Sequence, residues 1–126
     1  STKIAGEVVI DDFAIISASV LIHQFCHIGS YVMVSGGTRT GQDVPPFCIA
    51  AREPVAYCGL NLVGLKRRNF PTEVINALHS AYLILYQNSK LFNERIAEIR
   101  ENVMPCKEID YLLEFLTNSK RGFIGR

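Results

Sequence analysis

Lys66-Arg67-Arg68 is the strongest concentration of charge in the sequence. Arginine presents a planar fork of donors that matches phosphate oxygens, and a diphosphate nucleotide or a phosphopantetheine arm would supply them. A solvated surface run is the ordinary alternative. His23 and Gln24 form a second pair, an imidazole beside a primary amide. The amide both donates and accepts, as an amide-bearing substrate would require. The other histidines, His27 and His79, and the cysteines Cys26, Cys48, Cys58 and Cys106 fall in no CxxC or zinc-finger spacing. The cysteines therefore read as free thiols serving as small apolar side chains, with no metal site. Asp12 and Asp43 read as turn or capping residues rather than acid catalysts.

The elements that must position these groups follow a period of six. Counting by six from Ile4 gives Ile10, Ile16, Ile22, Ile28 and Val34, with Thr40 breaking the aliphatic run. A second register gives Val8, Ala14, Val20, Cys26, Val32, Thr38 and Val44, all small or β-branched. Neither a helical nor a two-residue period produces both registers. A left-handed parallel β-helix does, because each flat face takes one hexapeptide and three faces close a coil. The aliphatic residue points inward and stacks on its equivalent in the next coil. Short strands are expected near Glu7–Val9, Ala14–Ile16, Val20–Ile22, His27 and Val32–Val34. Gly6, Gly29, Gly36, Gly37 and Gly41 are expected at tight corners, by positive φ or close backbone approach. Pro45-Pro46 should stop the regular ladder, leaving Phe47–Ala50 as one further strand.

From Pro71 the period becomes helical. Val74, Leu78, Tyr82 and Leu85 make one apolar stripe, with Pro71 and Glu73 suited to the first turn. Gln87-Asn88-Ser89 breaks it. A second helix is expected over about Leu91–Val103 and a third over Lys107–Asn118, with Gly122 a candidate C-cap. The organisation is thus β-helix coils over 1–56, a basic connecting loop over 57–70, and a three-helix domain over 71–126. Because the hexapeptide pattern already runs at Ile4 and a bare coil end needs covering, the chain reads as the end piece of a longer solenoid, truncated at Ser1. A formal charge of +1 and 48% hydrophobic residues argue against disorder and bulk nucleic-acid binding. With no signal-peptide core and no apolar run long enough to span a bilayer, a cytoplasmic, non-transmembrane protein is expected.

Three stretches in this order, Asp12–Ile16 through His23-Gln24-Phe25-Cys26, then Gln42–Pro46, then Gly64-Leu65-Lys66-Arg67-Arg68, resemble the carboxy-terminal half of the bacterial UDP-N-acetylglucosamine O-acyltransferases of lipid A synthesis. The resemblance implies a homotrimer of left-handed β-helices, each continued by a helical domain. It implies transfer of a 3-hydroxyacyl group from acyl carrier protein to the glucosamine 3-hydroxyl of UDP-N-acetylglucosamine, in clefts between subunits. No cofactor is implied, since phosphopantetheine arrives on the acyl donor. By family position, Arg67 and Arg68 would hold the nucleotide phosphates or ribose and Asn61 would contact uridine. His23 would meet the sugar or acyl groups, Gln24 the acyl donor, and Gly36 would act as the acyl-chain ruler. Arg39, Arg52, Lys120 and Arg121 are candidates for docking the acidic carrier protein. The family's general base is a histidine in an upstream coil, expected before Ser1, and none of His23, His27 and His79 matches it. The alternatives are a related N-acyltransferase, or a non-catalytic trimerisation or carrier-binding unit.

Overall fold

A computed structural model of the chain describes residues 2–87 and 89–126. Ser1, the first residue of the expected coils and the point upstream of which the general base is expected, lies outside the described residues. So does Asn88, within the expected break at 87–89. The first part is a stack of short strands: β1 (Lys3–Ile4), β2 (Val9–Ile10), β3 (Ile15–Ile16), β4 (Leu21–Ile22), β5 (His27–Ile28), β6 (Met33–Val34) and β7 (Arg39–Thr40). They sort into separate sheets by face, β1-β4-β7 on one, β2-β5 on the second and β3-β6 on the third, all parallel. Ile4 pairs with Ile22 and Ile22 with Thr40, a step of 22 − 4 = 18 residues that is three hexapeptides. Parallel β-helix coils followed by helices are therefore the architecture, as the period of six predicts.

Burial follows the period. Ile22, Ile28, Val32, Val34 and Cys26 are fully buried in the prism, and each large aliphatic contributes roughly 1.5–3 kcal/mol. Ile4 and Ile10, which occupy the same register one coil lower, are 48% and 37% exposed, having a neighbouring coil on one side only among the described residues.

The corners differ from expectation in an instructive way. Glu7, Phe13, Ser19, Phe25 and Tyr31 all have φ between 59 and 68°, and Gly37 continues the series at 77°. This is a third register of period six, and only Gly37 among the expected corner glycines adopts positive φ. The tight turn is enforced by the stacked strands on either side, which outweigh the steric cost of a side chain there. Gly29 is required instead for close approach: a Cβ there would lie 2.5 Å from the Pro46 backbone nitrogen.

Pro45-Pro46 does not end the stack. Val44 bridges Ile28, and β8 (Cys48–Ala51) pairs with β6 through Met33↔Ile49, a step of 49 − 33 = 16. The coil has lost two residues, so Val44 takes the place expected of the aliphatic register. β9 (Ala56–Leu60) then turns back antiparallel on β8. The stretch 57–70, read as a loop, instead holds most of β9 and a short helix, α1 (Leu62–Arg67).

The helices α2 (Thr72–Leu85), α3 (Phe92–Asn102) and α4 (Lys107–Asn118) fall where their stripes place them, with Leu78, Leu85, Ile99 and Leu112 fully buried. Gly122 is not a helix cap. α4 ends at Asn118 with Ser119 as its C-cap, and Gly122, at φ 76°, lies in a returning tail whose Phe123 bridges Asp43 and whose Gly125 bridges Ala56. Polar contacts fasten the helices in place: the Tyr82 hydroxyl donates to the Pro46 carbonyl of the coils and the Tyr86 hydroxyl to the Ile124 carbonyl of the tail. The Tyr111 hydroxyl accepts from the Ser30 amide at 2.8 Å and donates to the Asp11 carboxylate.

Burial raises the phenol pKa of Tyr57, Tyr82 and Tyr86, and burial together with the hydrogen bond to Asp11 pushes Tyr111 up to about 12. Below about pH 10 these phenols are neutral whether the chain is folded or not, so the stability they give is fully present. Between about pH 10 and 12 the unfolded chain releases protons that the folded chain keeps, and stability falls as pH rises. In an alkaline titration, the tyrosinate absorbance of these residues should therefore rise together with loss of helical circular dichroism. Their ionisation near pH 10 with the helices intact would contradict this.

Candidate functional site

The basic run is carried by α1, and the residues before it explain why a helix forms there. Asn61 is buried, and its side-chain oxygen accepts the Gly64 amide at 3.2 Å, capping the helix, while its amide nitrogen donates to the Tyr31 carbonyl at 3.0 Å. Gly64 leaves room for this cap, since a Cβ there would lie 2.4 Å from the Asn61 amide nitrogen. Asn61 thus ties α1 to the coil beneath it, a structural task beside the nucleoside contact expected of it. Lys66 and Arg67 occupy the last turn and Arg68 the C-cap, a placement favoured by the negative end of the helix dipole.

Arg67 and Arg68 stand on the rim of a cavity of about 600 Å³. Its floor is the outer surface of the third face, Ile15 and Met33, and its wall is Phe13, Tyr31 and Val63. The Arg68 guanidinium lies over the Phe13 ring, 4.1 Å from its centroid. Both arginines are exposed, and neither is paired with a carboxylate among the described residues. An apolar floor beneath two free guanidinium forks can hold a molecule with a flat or aliphatic body and an anionic end.

The other expected site residues lie elsewhere on the prism. His23 and Gln24 are exposed at the corner between β4 and β5. Gly36 is exposed at the corner between β6 and β7. Phe13 and Tyr31, beneath the arginines, occupy the corner that leads into β3 and β6. The chain therefore distributes His23 with Gln24, Gly36, and Arg67 with Arg68 over different edges, and brings together only the members of each group.

The candidate docking cations are also divided. Arg121 donates through Nε to the Gly41 carbonyl at 3.2 Å, beside the His23 corner, and Arg39 faces outward on β7 with Lys120 exposed in the tail. Arg52 lies apart, in a hollow of about 420 Å³ with His79 and Arg126.

His27 and Asp43 serve the joint between coils and helices. The His27 Nε2 lies 2.9 Å from the Asp11 carboxylate, though without hydrogen-bond direction, and its ring packs on Phe115 at 4.4 Å between centroids. Asp43 is buried and accepts the His27 amide at 2.8 Å and the Ser119 hydroxyl at 2.6 Å. Sequence reasoning missed Phe13, Tyr31 and Met33 as partners of the arginines. The recurrence of an aromatic at 13 and 31, one coil apart, was the available signal.

A family model described as UDP N-acetylglucosamine O-acyltransferase, domain 2, matches residues 43–124. The acyl-[acyl-carrier-protein]–UDP-N-acetylglucosamine O-acyltransferase of Burkholderia lata is 40% identical over 128 aligned positions, and that of Thiobacillus denitrificans 37% over 124. These alignments cover 98% of this chain but 49% and 48% of the relatives, so the chain spans about half the length of the curated relatives it matches. A crystal structure of a UDP-N-acetylglucosamine acyltransferase from Bacteroides fragilis superposes with a TM-score of 0.95 at 50% identity, covering 98% of this chain and 48% of that one. The corresponding protein of Acinetobacter baumannii gives 0.91 at 31% identity, with the same coverage of 98% and 48%.

Proposed function

We propose, because this chain belongs to the UDP-N-acetylglucosamine O-acyltransferase domain 2 family, that it supplies the substrate-shaping coils and helical cap of an enzyme transferring a 3-hydroxyacyl group from acyl carrier protein to the sugar 3-hydroxyl of UDP-N-acetylglucosamine, in lipid A synthesis. The observation that carries this reading is the TM-score of 0.95 at 50% identity to the Bacteroides fragilis acyltransferase across nearly the whole chain. In the reaction a base takes the proton of the sugar hydroxyl as it attacks the thioester carbonyl. Charge gathers on the thioester oxygen, where a backbone amide can stabilise it, and the pantetheine thiol leaves with a proton. The base is assigned to none of the histidines of this chain, and the reading places it upstream of Ser1. Arg67 and Arg68 hold the nucleotide diphosphate, with Asn61 near the uridine.

The separation of the site groups supports assembly into a trimer. His23 with Gln24, Gly36, and the arginine pair occupy different edges of one prism, so one chain cannot gather them around one substrate. Copies arranged about a threefold axis bring an edge of one chain against a different edge of its neighbour, so a cleft between them can combine site groups that one chain keeps apart. Incubating the intact natural protein with 3-hydroxyacyl carrier protein and UDP-N-acetylglucosamine should yield the 3-O-acyl sugar nucleotide, and light scattering should give a trimer. A protein that makes no product overturns the catalytic reading, and a stable monomer overturns the shared cleft.

Gly36 as ruler makes a separate prediction. Its φ lies outside the left-handed region, and a Cβ there would meet only the Ala18 carbonyl at 3.4 Å and the Ser17 Cβ at 4.0 Å. Gly36→Met is thus accommodated without backbone strain and should fill the acyl path. Competition between donors should show at least about a tenfold shift in kcat/KM toward shorter chains. An unchanged chain-length profile would remove the ruler role.

A further inference from the structure

We infer that Phe13 is a positioning residue for Arg68, holding the guanidinium in place before a phosphate arrives. This rests on the proposed reading that Arg68 binds the nucleotide phosphates. Phe13 has φ 64° and is 49% exposed. The stacked strands set that backbone at every corner of the register, so it is the ring's half-exposed position beside Arg68, not its φ, that calls for a role.

The ring itself is held by a column of aromatics. Phe13 stacks on Tyr31 at 5.1 Å between centroids and 21° between planes, and Tyr31 stacks on Phe47 at 5.8 Å and 11°. All have positive φ, at 64, 61 and 70°, each one coil above the last. Phe70, just beyond α1, meets Tyr31 edge-on at 4.9 Å. The column is therefore rigid, and Phe13 is its exposed end.

The same column seats both ends of the arginine-bearing helix. The Asn61 amide that caps the start of α1 donates to the Tyr31 carbonyl, while Arg68 at its other end lies over Phe13 at 4.1 Å. A free arginine samples many rotamers and loses them on binding. One already held over an aromatic face has given up part of that freedom while its edge stays open to a ligand.

UDP is the probe, with binding measured by calorimetry on the intact natural protein. Phe13→Leu should raise Kd by roughly two- to fivefold, and Phe13→Tyr, which keeps the ring, should restore it. In an Arg68→Ala background, Phe13→Leu should add nothing, because the ring acts through the guanidinium. Wild-type affinity in Phe13→Leu overturns the inference, as does an additive loss, which would mark the ring as a direct contact. In either case weakened binding by Arg68→Ala leaves the phosphate reading standing. If Arg68→Ala itself binds UDP unchanged, the phosphate reading fails and this inference fails with it. Thermal melts of each variant separate loss of fold from loss of position, and failure of Phe13→Tyr to restore affinity in a folded protein also counts against it.

Discussion

Arg68→Ala in the intact natural protein should raise the Kd for UDP-N-acetylglucosamine by about tenfold to a hundredfold, the equivalent of one lost hydrogen bond to a charged group. Arg68 is exposed at the C-cap of α1, where its own amide bonds back to the Gly64 and Lys66 carbonyls, so the backbone is held without help from the side chain. Its guanidinium lies over Phe13 and has no carboxylate partner among the described residues. Removing it should spare the fold and cost the ligand. Arg68→Lys should recover only part of the affinity, since an ammonium keeps the charge but not the fork. KM for the nucleotide sugar should rise more than kcat falls if the contact is present equally in ground and transition states. Affinity for both substrates unchanged from the natural protein would argue against the phosphate role.

The second large effect concerns stability. Gly29→Ala should lower stability by about 3 kcal/mol, the upper part of the range for overpacking, and the melting temperature by on the order of 10 °C. A Cβ at Gly29 would sit 2.5, 2.6 and 2.7 Å from the nitrogen, Cα and Cβ of Pro46, all of them backbone or ring atoms with no rotamer to yield. Nor can the two segments separate easily. The Gly29 amide donates to the Val44 carbonyl at 2.9 Å and the Phe47 amide to the Ser30 carbonyl at 2.9 Å, and the Pro46 carbonyl accepts the buried Tyr82 hydroxyl. Any shift that relieves the clash breaks bonds on both sides. Gly6→Ala is the control, because a Cβ there meets nothing within 4 Å, and it should change stability by less than about 0.5 kcal/mol. Equal melting temperatures for the two variants would show that the coil opens at the proline step.

The shortened coil explains why these residues matter together. Between Thr40 and Val44 the chain covers a corner with two residues fewer than in the coils below, bringing Pro46 down onto Gly29. The proline pair was legible as a change in the ladder. So was the further strand after it, which is β8; that the coil loses two residues, and that Val44 rather than residue 46 sits above Ile28, was not. A period read along the chain reports spacing only while the spacing holds.

By itself the sequence determined the faces of the coils and the stripes of the helices. Inward and outward positions there depend on each residue's own place in a repeat, so Ile22, Ile28 and Val34, like Leu78, Ile99 and Leu112, could be assigned to the core without knowing their neighbours. It also supplied Arg67 and Arg68 as a charged pair. Only the tertiary structure decided that these stand on a helix capped by Asn61, over Phe13 and Tyr31, and that His23 with Gln24 and Gly36 lie on other edges of the prism. Those facts depend on contacts between residues a coil or more apart, where stacking energy overrides local preference: it holds side chains as large as phenylalanine and tyrosine in left-handed corners, and folds an expected loop into strand and helix.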